Sequence, residues 1–252
     1  MTDDSGAGPS DPGGMRAVTI SREYGSGGGE IGGRLARRLG WRLVDHEIVV
    51  RLAQTLGETE AEAEALDEHA EGFLWRMLEG LRYVSPWTMV DQPRSLEEQR
   101  RRHRAALASI IDAAAALGDV VIVGRGAQAI LADQRDALHV RIVAPLTARI
   151  AYVVGRESLT PEEARSRILT VDRDRARYLQ EAEHLRPDDA HLYDLTINTG
   201  VLTLDDAVDL IVFALQCKAR LLHVPADELG PGVALPPYPG PTRPLAPPTP
   251  AE

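Results

Sequence analysis

From residue 17 to residue 39 the chain reads AVTISREYGSGGGEIGGRLARRL: a β-branched run, a glycine-rich turn, then an amphipathic stretch. A strand that enters a helix through such a turn belongs to a layered α/β architecture. Four of the five residues from Gly25 to Gly29 are glycine, a costly composition for mere connection. The geometry points several backbone N–H groups at one spot, and the helix dipole adds to their pull on an anion. The plainer alternative is a tight turn that binds nothing.

Two nucleotide-binding readings fit this turn. Gly27, Gly29 and Gly32 satisfy the G-x-G-x-x-G dinucleotide pattern, and Asp45 ends the next apolar run. That pattern wants its first glycine almost directly after the strand, whereas residues 21–26 intervene here. A phosphate loop needs the longer excursion. Counted from the strand end, Arg22 takes the first glycine position, Gly27 the second and Gly28 that of the lysine. Gly29 and Glu30 stand where a Mg²⁺-binding Ser or Thr is expected. On this reading Gly25, Ser26, Gly27, Gly28, Gly29 and Glu30 hold phosphates, and a valine at Gly27 would fill the phosphate's volume.

Short apolar runs at 17–21, 41–45, 120–123, 138–143 and 194–198 predict strands. Amphipathic stretches at 28–39, 47–56, 60–70, 73–81, 96–117, 146–156, 161–183 and 204–222 predict helices. Their alternation predicts a doubly wound parallel sheet. The strand-free interval 57–117 reads as a helical insertion within one domain spanning 15–224. Residues 1–14 are acidic and Gly/Pro-rich, and 225–252 are dense in proline, so both read as disordered tails. Thr160, Pro161 and Glu163 form a capping box with proline at N1, which fixes the start of the 161–183 helix.

Composition excludes several classes. A net charge of −10 opposes nucleic-acid or anionic-membrane binding. One cysteine, Cys217, leaves no intramolecular disulfide, and no His/Cys spacing suggests a metal site. No apolar run approaches a membrane span, so a cytoplasmic location is expected; nothing sets an oligomeric state. Of 28 basic residues only Lys218 is lysine, and it lies far from the loop, so any cation at a phosphate must be arginine. Arg22 at the mouth of the loop and Arg125, framed by Gly124 and Gly126 after the third strand, are placed for it. An ion pair that braces the turn is the alternative role for each. Arg173, Arg175 and Arg177 lie on the charge-laced 161–183 helix, whose plainer role is a solvated face.

With these residues in view, the sequence resembles the cytidylate kinase-like family, a branch of the P-loop nucleoside monophosphate kinases. The resemblance runs from about Arg16 to Leu215. Residues 18–31, VTISREYGSGGGEI, match the family's ITISREYGSGG-x-EI. Asp45, Glu47 and Ile48 match its D-x-E-I, and 121–127 its VIVGRGA. Asp172, Arg175 and Tyr178 match D-x-x-R-x-x-Y, and 193–199 match Y-D-L-x-x-N-T. The resemblance implies a P-loop kinase-like three-layer fold, with a five-stranded parallel sheet in the order 2-3-1-4-5, a helical insertion and an arginine-bearing lid. It implies ATP with Mg²⁺, phosphates on the glycine loop, and Asp45 and Arg125 facing a nucleotide acceptor. Arg22, Arg173, Arg175 and Arg177 would supply catalytic charge. Relatives often carry Arg or Lys at the position of Gly29, and true cytidylate kinases carry Asp at that of Gly126. No Mg²⁺ ligand is identifiable at that strand end. The expected activity is ATP-dependent phosphorylation of a CMP-like or related small acceptor. The alternatives are a weak or inactive nucleotide-binding regulatory module and, further off, a dinucleotide-binding oxidoreductase.

Overall fold

The computed structural model describes residues 13–45 and 96–230. The helices expected at 47–56, 60–70 and 73–81, with most of the insertion, lie outside the described residues, as do 1–12 and 231–252. In order, the chain forms β1 (Ala17–Arg22), α1 (Gly28–Leu39), β2 (Arg42–Val44), α2 (Leu96–Leu117) and β3 (Val120–Val123). There follow α3 (Ala127–Ile130), β4 (Ala137–Val143), α4 (Leu146–Glu157), α5 (Pro161–Glu183), β5 (Leu195–Asn198) and α6 (Leu204–Ala219). The five strands make one parallel sheet in the order β2-β3-β1-β4-β5. This is the expected α/β fold and strand order. It is not the Rossmann order, in which β2 lies beside β1.

Period-two alternation divides the core between the two faces of the sheet. Val18, Ile20, Val121, Val123 and Val140 face α1 and α6, whose Ile31, Leu35, Val208 and Ile211 are buried against them. Ala17, Val120 and Ile122 face the other way, onto α2. There Leu107, Ile110, Ile111 and Ala114, at helical spacing, form the buried stripe. Each such aliphatic side chain contributes roughly 1.5–3 kcal/mol. With β1 in the centre, the loop after it opens at the carboxyl edge of the sheet, where open α/β sheets bind ligands.

Several element ends differ from expectation by about one to three residues, the last helix stopping at Ala219 rather than 222, and one short α-helix was not expected. Trp41 belongs to the end of α1, because its N–H donates to the Ala36 carbonyl (2.9 Å) while Gly40 takes φ 67°. That is a Schellman stop, so β2 begins only at Arg42. The four-residue α3 is too short for any periodic pattern to reveal. The capping box is present, with Thr160 accepting from the Glu163 N–H (3.3 Å) and Glu163 accepting from the Thr160 N–H (2.9 Å). Residues 226–228 form a single 3₁₀ turn. Among the described residues no helix is long and apolar enough to cross a membrane.

Candidate active site

The loop between β1 and α1 is held from three sides. The Ser26 hydroxyl donates to the Glu23 carbonyl (2.9 Å), and the Ser26 carbonyl accepts from Thr199 Oγ1 (2.8 Å). The Tyr24 N–H donates to Asp172 on α5 (2.8 Å), and the Ala144 N–H donates to Glu23 (3.0 Å). The first full helical bond of α1 runs from the Ile31 N–H to the Gly27 carbonyl (3.0 Å). The amides of Gly28, Gly29 and Glu30 precede it, so they have no intrahelical partner and are available to an anion. A cavity of about 360 Å³ opens on them, lined by Gly25, Gly27, Gly28, Gly29, Glu30, Arg22 and Arg175.

The side chains divide the labour differently from expectation. Ser26 is buried and its hydroxyl is spent inside the turn. The Glu30 carboxylate is held by Arg34, Tyr152 (3.0 Å) and Arg156 (3.0 Å). The Arg34 hydrogen bond, foremost among these, keeps it below the usual carboxylate range. Gly27 serves packing: a Cβ there would lie 2.6 Å from Leu204 Cδ2, at φ 79°. A valine at Gly27 would therefore strike α6 rather than fill a phosphate's volume. A Cβ at Gly29 would meet nothing within 4 Å.

A second cavity, of about 590 Å³, lies beside the first and shares Arg22, Glu23 and Arg175 with it. Its other walls include Ser21, Gly124, Arg125, Gln128, Arg141 and Tyr178. Gly124, Arg125 and Gly126 follow β3 with φ of 85°, 59° and 68°. A non-glycine residue held in the left-handed region costs about 1–2 kcal/mol; strain of this kind is typical of functional positions. Here it sends Arg125 into the cavity wall. Arg141, on β4, donates to Ser21 Oγ (3.3 Å) and lies over the Tyr193 ring.

Arg22 crosses the boundary between the cavities. Its stem lies where a Cβ on Gly28 would be (2.6 Å), and its Nη1 where a Cβ on Gly124 would be (1.7 Å). Burial, then the like charges of Arg175 and Arg125, push its pKa down to about 10; Asp45 opposes them. Among the described residues its guanidinium makes no ion pair. Burial also lowers Arg175 and Arg125. Arg175 donates to the Arg22 carbonyl (3.3 Å) and lies over the Tyr24 ring. Arg22 and Arg175 line both cavities and Arg125 lines the larger one, a cluster of positive charge with perturbed pKa values of the kind an anion site uses.

Arg173 and Arg177 are exposed on α5 and line neither cavity. Asp45 stands just past β2, close enough to Arg22 to act on its charge. Lys218 pairs with Asp194 (2.7 Å), away from both cavities. Among the described residues no group of three or more His, Cys, Asp or Glu could hold a metal. Sequence reasoning missed Arg141, Gln128 and the buried Arg149, which ties Asp172 (2.5 Å) to the loop through the Tyr24 carbonyl (3.2 Å). Only the D-x-x-R spacing of Asp172 and Arg175, one helical turn apart, hinted at this brace.

The family model for the cytidylate kinase-like family matches residues 17–201. A uronate isomerase of Corynebacterium glutamicum is 32% identical over 92 residues, 36% of this chain and 18% of that protein. A cytidylate kinase of Methanopyrus kandleri is 31% identical over 111 residues, 41% of this chain and 58% of that protein. The chain thus spans less than two thirds of either relative. A crystal structure of an uncharacterized protein from Eubacterium ventriosum superposes with a TM-score of 0.59 at 20% identity, covering 79% of this chain and 98% of that one. That likeness concerns the fold.

Proposed function

The chain belongs to the cytidylate kinase-like family, and from that membership we propose that it is an ATP-dependent phosphotransferase acting on a nucleoside monophosphate or a related small acceptor. The observation that carries this reading is the pair of adjoining cavities with Arg22 and Arg175 in their common wall. ATP phosphates occupy the loop cavity on the amides of Gly28, Gly29 and Glu30. The acceptor occupies the second cavity, its phosphate on Arg125 and Arg141, with Asp45 on the side of β2. Phosphoryl transfer needs alignment and positive charge on the moving group rather than a covalent intermediate. Arg22 and Arg175 supply that charge in place of a loop lysine. Arg173 and Arg177, exposed on α5, would join them only on lid closure.

Mg²⁺ finds no cradle in the loop: the Ser/Thr position is glycine, the Ser26 hydroxyl is committed, and no carboxylate cluster is present among the described residues. A metal ion would come with ATP, held by its phosphates and water. These same absences favour a second reading, a module that binds nucleotide without transfer.

Purified protein incubated with ATP and CMP, UMP or AMP should release ADP in an acceptor-dependent manner. Binding of ATP with no transfer to any acceptor would reject the kinase reading and leave the binding module; tighter binding of NAD than of ATP would favour the dinucleotide reading. Arg125→Ala should raise the acceptor KM about 10–100-fold, the loss of one charge-assisted phosphate contact, with little change in melting temperature. A melting temperature that falls with KM unchanged would make Arg125 a structural residue. Gly29→Lys should be accommodated, since its side chain enters open space. It should tighten ATP binding several-fold by calorimetry, after a small cost from the helix dipole.

A further inference from the structure

We infer that Gln128 is the residue that reads the base of the acceptor. This rests on the phosphotransferase reading and adds to it a recognition element. Gln128 is the second residue of α3, three positions after Arg125, and it lines the larger cavity. It is only 4% exposed, yet among the described residues no hydrogen bond to its carboxamide is found. The side-chain oxygen and nitrogen of Gln128 are not among the fully buried polar atoms that lack a partner, so they open on the cavity that the residue lines. An amide left open toward a cavity is satisfied when a ligand supplies its complement.

The carboxamide fixes the chemistry of that complement. It presents one donor and one acceptor side by side in a plane, which matches a planar edge carrying an adjacent acceptor and donor. The pyrimidine and purine edges of nucleobases carry such pairs. The surrounding wall fits a flat ring: Val171, Leu179 and Tyr178 are apolar or aromatic. Arg125 and Arg141 line the same cavity and provide charge for the phosphate. A nucleoside monophosphate has both ends. A sugar phosphate without a base has only one.

The test compares CMP, UMP and AMP with ribose 5-phosphate as ligands, by calorimetry, for the wild-type protein, Gln128→Leu and Gln128→Glu. Leucine approximates the volume without polar atoms, and glutamate keeps the shape while removing the donor. The expected result is a loss of at least about tenfold in nucleotide affinity in Gln128→Leu, with ribose 5-phosphate binding unchanged. Gln128→Glu should change the ranking among the three bases. Melting curves on the free proteins confirm that both variants are folded; if Gln128→Leu unfolds, the isosteric Gln128→Glu carries the comparison alone. Equal losses for nucleotides and ribose 5-phosphate, or no loss for either, would overturn the role of Gln128 while leaving the phosphotransferase reading intact. A wild-type protein that binds none of the three nucleotides would overturn both.

Discussion

Arg22→Met should abolish phosphoryl transfer, by about two to three orders of magnitude, and at the same time make the free protein more stable. The two effects have one cause. In the empty protein the Arg22 guanidinium is desolvated and faces Arg175 and Arg125, so its charged form is disfavoured and its pKa falls to about 10. A cation held below its ordinary pKa costs stability at every pH below the folded value, on the order of 3 kcal/mol here. That cost is relieved only as pH climbs past about 10. The gain in melting temperature should therefore be nearly constant between pH 6 and 9. Methionine fills the same slot along Gly28 without the charge, as apolar replacements of buried ions often do. With ATP present the order should reverse, because the wild-type cation gains its phosphate partner and is stabilised by binding. Gly124→Ala offers an independent route to the same loss. Its Cβ would land on the Arg22 guanidinium and displace the flexible end of that side chain, at a further cost of about 1–2 kcal/mol for an alanine held at φ 85°. An Arg22→Met protein that transfers phosphate at the wild-type rate would remove Arg22 from the reaction.

What could be read from the sequence was local. The β-branched run at 17–22 and the glycines after it share one short window, and the unbroken apolar run VVIV was enough to bury β3 on both faces. The capping box at Thr160 is likewise a matter of four residues. The site is otherwise built by contacts across long separations. Tyr24 meets Asp172, 148 residues away, and no periodicity encodes that pairing. Arg141 reads as an ordinary polar residue in a strand until β4 lies beside β1. The charge-laced α5 shows the difficulty plainly. Arg173, Arg175 and Arg177 are alike in sequence, but only Arg175 shares a helix face with Asp172, and only it reaches the cavities. Gln128 sits in a plain Ala-Gln-Ala run, and an amide that opens on a cavity is a property of the packed molecule.

The same long-range contact sets the second large effect. Asp172→Ala should cost about 2–4 kcal/mol and lower the melting temperature by roughly 5–10 °C. Arg149 is nearly buried and would lose its closest partner, keeping only Glu23 at 3.5 Å and the Tyr24 carbonyl. The Tyr24 N–H would lose its acceptor as well, so the loop should loosen and ATP affinity should fall with the stability. Asp172→Asn separates the two roles. An amide oxygen still accepts from the Tyr24 N–H, but the ion pair with Arg149 is gone. The asparagine protein should melt lower than wild type yet bind ATP nearly as well, while the alanine protein fails at both. Calorimetry with ATP at a temperature where all three proteins are folded distinguishes them. Wild-type ATP affinity in Asp172→Ala would show that the carboxylate merely fastens α4 to α5; a graded loss through Asn to Ala would show that it sets the position of the loop, and that α5 carries Arg175 to the site on the same anchor.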